Sequence, residues 1–169
     1  MNSKKITFLI STLSGGGAEG VCVGMANIFA QKGWSVDLVV LNLKNEAYLN
    51  RLSNKVKLVV LNVNHARYAS FSLLKYINKN KVKTILVFNY ELSVVLVILR
   101  KLLRLQVKII SRSISTFSAK MNQFYKLSNW DRFIVAPLIK AFFHRVDFVI
   151  NQSNGMRDDL VSLYPHLKD

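Results

Sequence analysis

The sequence predicts an α/β fold: a Rossmann-like, three-layer sandwich with a mostly parallel sheet. Six short apolar runs rich in β-branched residues have the length and composition of buried strands. Longer segments with helical periodicity separate most of these runs, as the crossover connections of a parallel sheet require. With 169 residues, 51% of them hydrophobic, the chain has the size of one globular domain.

The predicted strands and helices alternate along the chain. The strands are residues 6–10, 36–41, 56–61, 84–88, 107–111 and 147–150. The helices are residues 19–32, 71–80, 92–105, 130–143 and 154–164. The connection 42–55 is too short to predict a helix together with its turns.

Local residues predict where individual helices begin and end. Gly33 follows the first helix and can end it with a positive φ. The hydroxyl of Ser153 can cap the last helix. Pro137 interrupts a helical pattern, so we expect a kink or a helix start at that residue.

The chain is strongly basic, with 24 lysines and arginines against 9 aspartates and glutamates and a formal net charge of +15. Such a charge favours polyanions or anionic lipid surfaces as partners. The apolar run at residues 92–99 is shorter than the roughly 20 residues of a membrane span, and the first residues lack the pattern of a secretory signal. A single cysteine, Cys22, leaves no intrachain disulfide, so we expect a reducing, cytoplasmic location.

The segment STLSGGGAEG, residues 11–20, joins the first strand to the first helix. The literal G-x-G-x-x-G pattern of dinucleotide-binding folds is satisfied by Gly15, Gly17 and Gly20. Against that interpretation, residues 11–14 separate the strand from the first glycine, and Glu19 would repel a pyrophosphate at the helix start. Asn42 also stands where a ribose-binding acid is expected. Dinucleotide binding is therefore the weaker alternative.

Both ends of the chain are similar to one known enzyme family. Residues 6–41 read ITFLISTLSGGGAEGVCVGMANIFAQKGWSVDLVVL, and this segment resembles the opening of the family four retaining glycosyltransferases of the GT-B fold. A strand, a Gly-Gly-Gly-Ala-Glu loop and a long helix recur there. Residues 146–164, VDFVINQSNGMRDDLVSLY, resemble the last strand and helix before that family's interdomain linker. The chain thus looks like one half of a GT-B fold.

The resemblance implies a glycosyltransferase of the hexosyltransferase type, divided over two domains. Residues 1–169 would be the Rossmann-like amino-terminal, acceptor-side domain, and the carboxy-terminal donor-binding domain of the same enzyme is absent from this chain. The fragment alone is then expected to be inactive. The whole enzyme would transfer a sugar from a nucleotide-sugar donor to a glycan or polyprenyl-linked acceptor in bacterial cell-surface polysaccharide synthesis. The nucleotide-sugar is a substrate, so no cofactor is expected.

The resemblance also implies what the glycine loop does. In that family the loop lies at the cleft between the domains and approaches the donor's diphosphate or the transferring sugar. Gly15, Gly16 and Gly17 would let a ligand come close to backbone N–H groups. Glu19 would stay at the helix start and help hold the loop. The alternative is that the glycines only make a tight turn.

Further cleft residues are predicted from topology, because ligands of open parallel sheets bind beyond the carboxyl ends of the strands. The candidates for an acceptor cleft follow the fourth and fifth strands: Asn89, Tyr90, Glu91, Arg112, Ser113 and Ser115. Arg112 either holds a phosphate with its planar fork or is solvated. Many family members carry a histidine after the fifth strand, where this chain reads SRSIS, so the catalytic residues stay unassigned. The three histidines are scattered, and no metal site is expected.

Two segments combine cationic and bulky apolar residues, as membrane-surface helices do: LRKLLRLQVK at 99–108 and WDRFIVAPLIKAFFHR at 130–145. With the net charge, they predict peripheral docking on the anionic inner face of the cell membrane. The alternative is ordinary helices with solvated charges. No nucleic-acid binding is expected, because no recognisable binding motif accompanies the charge. A non-catalytic Rossmann-like binding module is the remaining alternative to an enzyme.

Overall fold

The computed structural model describes residues 4–44 and 46–167. Its strands are β1 Lys5–Ile10, β2 Ser35–Val40, β3 Val56–Val60, β4 Thr84–Val87, β5 Lys108–Arg112 and β6 Phe148–Ile150. They form one sheet in the order β3-β2-β1-β4-β5-β6, and all neighbouring strands run parallel. The predicted fold is confirmed. The outer limits of the predicted domain, residues 1–3 and 168–169, lie outside the described residues.

Helices cover both faces of the sheet. They are α1 Gly17–Gln31, α2 Ala69–Asn80, α3 Tyr90–Leu103, α4 Phe117–Lys126, α5 Ala136–Phe142 and α6 Asn154–Leu163. The sequence did not predict α4, although its buried residues Phe117, Met121 and Phe124 have helical spacing. In the described part of the chain, no helix has the length and apolarity needed to cross a bilayer.

The signals predicted at helix ends act as expected. Gly33 has a φ of +80° just after α1, and the Ser153 hydroxyl accepts a hydrogen bond from the backbone N–H of Met156 at 3.3 Å. Pro137 lies in the first turn of α5, directly after a wider π-helical turn, Asp131–Val135. Proline has no N–H to donate. The predicted long helix at 130–143 is therefore divided into a π turn and a short α-helix.

Three apolar clusters hold these layers together. On one face α1 packs over Phe8, Leu38 and Phe88, and on the other α2 and α3 pack over Leu9, Val87 and Ile109. A third cluster, around the rings of Phe117 and Phe143, joins α3 to α4, α5 and α6. This third cluster fixes the position of α5 beside α3.

A buried polar network links β1, β2 and α2. The Asp37 carboxylate, on a residue only 3% exposed, accepts a hydrogen bond from the Tyr76 hydroxyl at 2.6 Å and lies 3.5 Å from the Lys5 ammonium. The Thr7 hydroxyl bonds the same phenol at 3.1 Å. Burial, followed by the bond to Asp37, raises the pKa of Tyr76, so the phenol stays protonated as a donor. Asp37 is therefore buried with partners, as a buried charge requires.

We predict that Tyr76→Phe lowers the free energy of unfolding by about 1.5–3 kcal/mol, the usual worth of a hydrogen bond to a charged group. Urea denaturation measures the change. Tyr125→Phe is the matched control, because Tyr125 is exposed, and we expect it to change stability by less than about 0.5 kcal/mol. Equal stability of the two variants would mean that Lys5 satisfies Asp37 without the phenol.

Candidate functional site

The order of the strands reverses between β1 and β4, which are neighbours in the sheet but not in sequence. The chain leaves β1 for α1 on one face and leaves β4 for α3 on the other. In open parallel sheets this reversal opens a crevice at the carboxyl ends of the strands, where ligands bind. The predicted glycine loop and the residues after β4 lie on its two sides.

The glycine loop is exposed and depends on glycine at one position. Gly15 has a φ of +107°, a conformation that other residues rarely adopt. Gly16 caps α1 with no side-chain hydrogen bond to the first turn, and a side chain at Gly17 would meet no atom within 4 Å. The backbone at Gly17 therefore borders open space, and the first N–H groups of a helix have no partner within the helix, which suits hydrogen-bonding to a ligand.

Glu19 lies in the first turn of α1, and its carboxylate folds back over Gly16. A Cβ added at Gly16 would be 2.5 Å from Glu19 Oε2. A negative charge is favourable at a helix N-terminus. The same charge opposes an anionic ligand there, so this helix start suits a neutral hydroxyl better than a diphosphate.

The third glycine of the literal dinucleotide pattern has a different neighbour. A Cβ at Gly20 would lie 3.0 Å from the hydroxyl oxygen of Tyr48, in the connection between β2 and β3. Asn42, at the end of β2, donates to the carbonyl of Val63 at 3.1 Å. These contacts with neighbouring loops explain both residues, Gly20 on α1 and Asn42 after β2, without a dinucleotide.

Asn89 connects the two sides of the crevice. Its Oδ1 accepts a hydrogen bond from the backbone N–H of Ser11 at 3.0 Å, and its carbonyl accepts one from the Ser93 hydroxyl at 2.9 Å. Ser93 is in turn hydrogen-bonded to Ser111 on β5 at 2.9 Å. Asn89 thus fixes the start of the glycine loop relative to α3.

Tyr90 and Ser113 were expected in the cleft, and the structure corrects both expectations because the two residues are buried. Tyr90 is 3% exposed, with its ring against Phe117 and Phe143 and its hydroxyl donating to the Ser115 carbonyl at 2.8 Å. Burial raises the pKa of its phenol. Ser113 is 2% exposed, and its backbone bonds Ile150 and Gln152. Both residues hold the loop that carries Ser115, which is half-buried.

Arg112 ends β5 on the α1 side of the sheet. It is half-buried, with its guanidinium 5.5 Å from the centre of the Phe88 ring. Its Nη1 is shielded from solvent and has no hydrogen-bond partner among the described residues. Burial lowers the pKa of the guanidinium, although arginine stays charged in proteins. One donor of the Arg112 guanidinium is therefore shielded from solvent, while the residue as a whole is half-buried.

A cleft of about 630 Å³ opens between α3, the π turn with α5, and the loops after β1, β2 and β3. Its walls are mostly apolar, with Val95 and Ile98 on α3 facing Ile134 and Leu138. Of the predicted site residues, Glu91 lines this cleft, where its carboxylate lies 3.8 Å from the Lys120 ammonium.

Sequence reasoning missed the polar residues at the mouth of this cleft. Asn64, His65 and Arg67 follow β3 and line the mouth with Asn42. We predicted site residues beyond the carboxyl ends of the fourth and fifth strands only. The same rule, applied after the second and third strands, would have found these polar residues. The wall formed by α5 had no comparable local signal, because it depends on how α5 packs on α3. Among the described residues, no cluster of three potential metal ligands is found.

Comparison with known proteins agrees with this architecture. The family model described as Glycosyltransferase Family 4 matches residues 15–168. No curated protein sequence matches the chain at a significant level.

Solved structures share the fold at low sequence identity. The apo form of the lipopolysaccharide outer core galactosyltransferase WaaB matches with a TM-score of 0.67 and 14% identity, over 94% of this chain and 42% of that chain. Anabaena Alr3699/HepE in complex with UDP and glucose matches with a TM-score of 0.62 and 14% identity, over 95% of this chain and 41% of that one. The chain thus spans about two fifths of the length of these proteins. Because the family model matches nearly all of the described residues, the chain belongs to Glycosyltransferase Family 4, as its glycine loop and its last strand and helix predict.

Proposed function

We propose that the chain is the amino-terminal, acceptor-side domain of a glycosyltransferase that transfers a sugar from a nucleotide-sugar to a glycan or polyprenyl-linked acceptor. The observation that carries the proposal is the exposed glycine loop at the crevice of a Glycosyltransferase Family 4 domain. The two structurally similar proteins support the donor class, since one is a galactosyltransferase and the other is in complex with UDP and glucose.

A second domain is part of this proposal. The two neighbours are more than twice as long as the part that this chain covers. We infer that a carboxy-terminal domain supplies the donor-nucleotide site. The amino-terminal domain by itself would then not catalyse sugar transfer. The lipopolysaccharide neighbour supports a role in bacterial cell-surface polysaccharide synthesis. With a nucleotide-sugar as the donor substrate, the reaction needs no resident cofactor.

The crevice supplies groups for a sugar and for a phosphate at different places. The transferring sugar would lie against the backbone of Gly16 and Gly17, where the Glu19 carboxylate can accept a hydrogen bond from a hydroxyl. A diphosphate oxygen would be held by Arg112, whose Nη1 has no other partner among the described residues. These roles position the substrates and leave the chemical step to groups that this chain does not identify.

Peripheral membrane docking, on the cytoplasmic face of the cell membrane, is the second part of the proposal. Around the α4–α5 connection, Leu127, Trp130 and Phe133 are exposed, with Phe133 at 63%. Lys126 and Arg132 are also exposed. We call these five residues the docking patch. Exposed apolar and cationic side chains on one helical segment suit the interface of an anionic bilayer.

We predict that Gly16→Val reduces turnover at least tenfold in an enzyme containing this domain and its second domain. The new side chain displaces the Glu19 carboxylate and fills the space over the loop, while folding changes little because that carboxylate is flexible. Steady-state transfer with a nucleotide-sugar measures turnover, and thermal unfolding checks the fold.

Gly24→Val is the matched control, because a side chain at Gly24 on α1 meets no atom within 4 Å. We expect it to leave turnover unchanged. If Gly16→Val and Gly24→Val turn over equally fast, the glycine loop is a tight turn and no part of the sugar site.

We predict that this chain binds anionic vesicles and that added salt weakens the binding, because surface charges are screened over about 8 Å at physiological ionic strength. Arg132→Gln should weaken binding about fivefold, as expected for one cation near an anionic surface. Lys32→Gln, an exposed lysine at the end of α1, should have a smaller effect. Vesicle sedimentation measures both; binding that ignores salt, or equal losses in both variants, would contradict a localised docking patch.

A further inference from the structure

We propose that the cleft between α3 and α5 binds the apolar chain of an amphiphilic phosphate ester, with the phosphate at its mouth. This inference deepens the proposed function and rests on it for its setting, since it assigns a place to the lipid part of the acceptor. The apolar tail of the ligand would lie inside the protein, whereas the docking patch would only adsorb to the surface of a bilayer.

The walls of the cleft are the first support. On α3, Glu91, Val95 and Ile98 lie on one side of the helix at spacings of four and three residues, and Ile134 and Leu138 face them at a spacing of four. Two helices that fit closely would interlock such side chains. Here these side chains, together with the loops after β1, β2 and β3, line an open cleft of about 630 Å³, a size typical of sites for small molecules.

The backbone at the cleft is the second support. Asp131–Val135 forms a π turn, in which the N–H of Ala136 donates to the carbonyl of Asp131. Such turns are rare and occur frequently at functional sites. Three residues of this turn, Asp131, Ile134 and Val135, line the cleft. The irregular turn therefore contributes directly to the wall.

The charges at the mouth determine the ligand's head group. The Arg67 guanidinium lies over the rings of Tyr68 and Trp130, at 4.8 and 5.4 Å from their centres. None of the ion pairs found among the described residues involves Arg67. The two carboxylates that line the cleft have other partners, because Glu91 pairs with Lys120 and Asp131 accepts from the Ser128 hydroxyl at 2.7 Å. A cation above an apolar cavity matches an anionic head on an apolar chain.

The position of the cleft explains how such a ligand would enter. Trp130, at its mouth, is 46% exposed and belongs to the docking patch. Ser11 and Thr12, beside the glycine loop, line the same cleft. A chain drawn from the bilayer past Trp130 would therefore bring its head group close to the proposed sugar site.

Binding of soluble, monomeric ligands to this chain tests the inference. Geranylgeranyl monophosphate and oleoyl lysophosphatidic acid, each below its critical micelle concentration, are titrated by calorimetry with no vesicles present. We expect saturable binding of at least one, and the tighter of the two identifies an isoprenoid or an acyl source. Inorganic phosphate alone should not compete at equal concentration.

Variants locate the binding. Val95→Trp, which fills the cleft, and Leu138→Asp, which places a charge on its wall, should each weaken binding at least tenfold. Val21→Trp is the matched control, because Val21 is partly exposed on α1, on the opposite face of the sheet, and binding should stay within twofold. Arg67→Gln should weaken binding of the phosphate ester about fivefold and leave that of uncharged geranylgeraniol unchanged. Circular dichroism checks the fold of each variant. With two cleft variants, the test still works if one of them does not fold.

Binding that is equal in folded Val95→Trp, Leu138→Asp and wild-type chains would overturn the inference, as would binding that occurs only with vesicles. Neither result touches the proposed function, which is measured separately by sugar transfer to a short, water-soluble acceptor in the two-domain enzyme. Sugar transfer without binding of the lipid phosphates would reject only the lipid-binding role of the cleft. Binding of the lipid phosphates without sugar transfer would reject the glycosyltransferase activity and keep the cleft as a lipid site.

Discussion

The parallel pairing of β1 with both β2 and β4 is the constraint on which the rest of the site depends. Because β1 is the strand at which the order reverses, the chain leaves its end for one face of the sheet and leaves the end of β4 for the other. The hydrogen bond from Ser11 to Asn89 then joins the two departing segments at 3.0 Å. The glycine loop is therefore held at the crevice by β1, a strand that is buried on both faces of the sheet.

At the crevice two electrostatic demands compete. The first turn of α1 favours negative charge, and the chain supplies it internally with Glu19. In the proposed function a phosphate would be better accommodated at Arg112, whose Nη1 has no hydrogen-bond partner in the described part of the chain. The separation of a carboxylate over the glycines from a guanidinium at the end of β5 would give the proposed site two chemically different subsites.

The sequence predicted the strands and the glycine loop well, because buried parallel strands read as continuous apolar runs and Gly15 needs its positive φ whatever its neighbours. It could not distinguish residues that face the crevice from those that support it. Tyr90 and Ser113 follow their strands by the same rule as Asn89 and Arg112, yet packing against Phe117 and the pairing of β5 with β6 bury them. The cleft wall was missed for the same reason, since contact between α3 and α5 joins distant parts of the chain.

The basic composition has a physical consequence for the whole domain. With a formal net charge of +15, the cationic side chains repel one another in a compact fold. The ion pairs found among the described residues neutralise Lys5, Arg100 and Lys120. Most remaining cations lie at the surface, where salt screens mainly the repulsion between charges that are more than about 8 Å apart at physiological ionic strength. An anionic membrane surface would relieve that repulsion, and Arg67 lies where the exposed aromatic residues meet the apolar cleft. The same excess of charge would then both bring the domain to a bilayer and position the head group of a bound lipid.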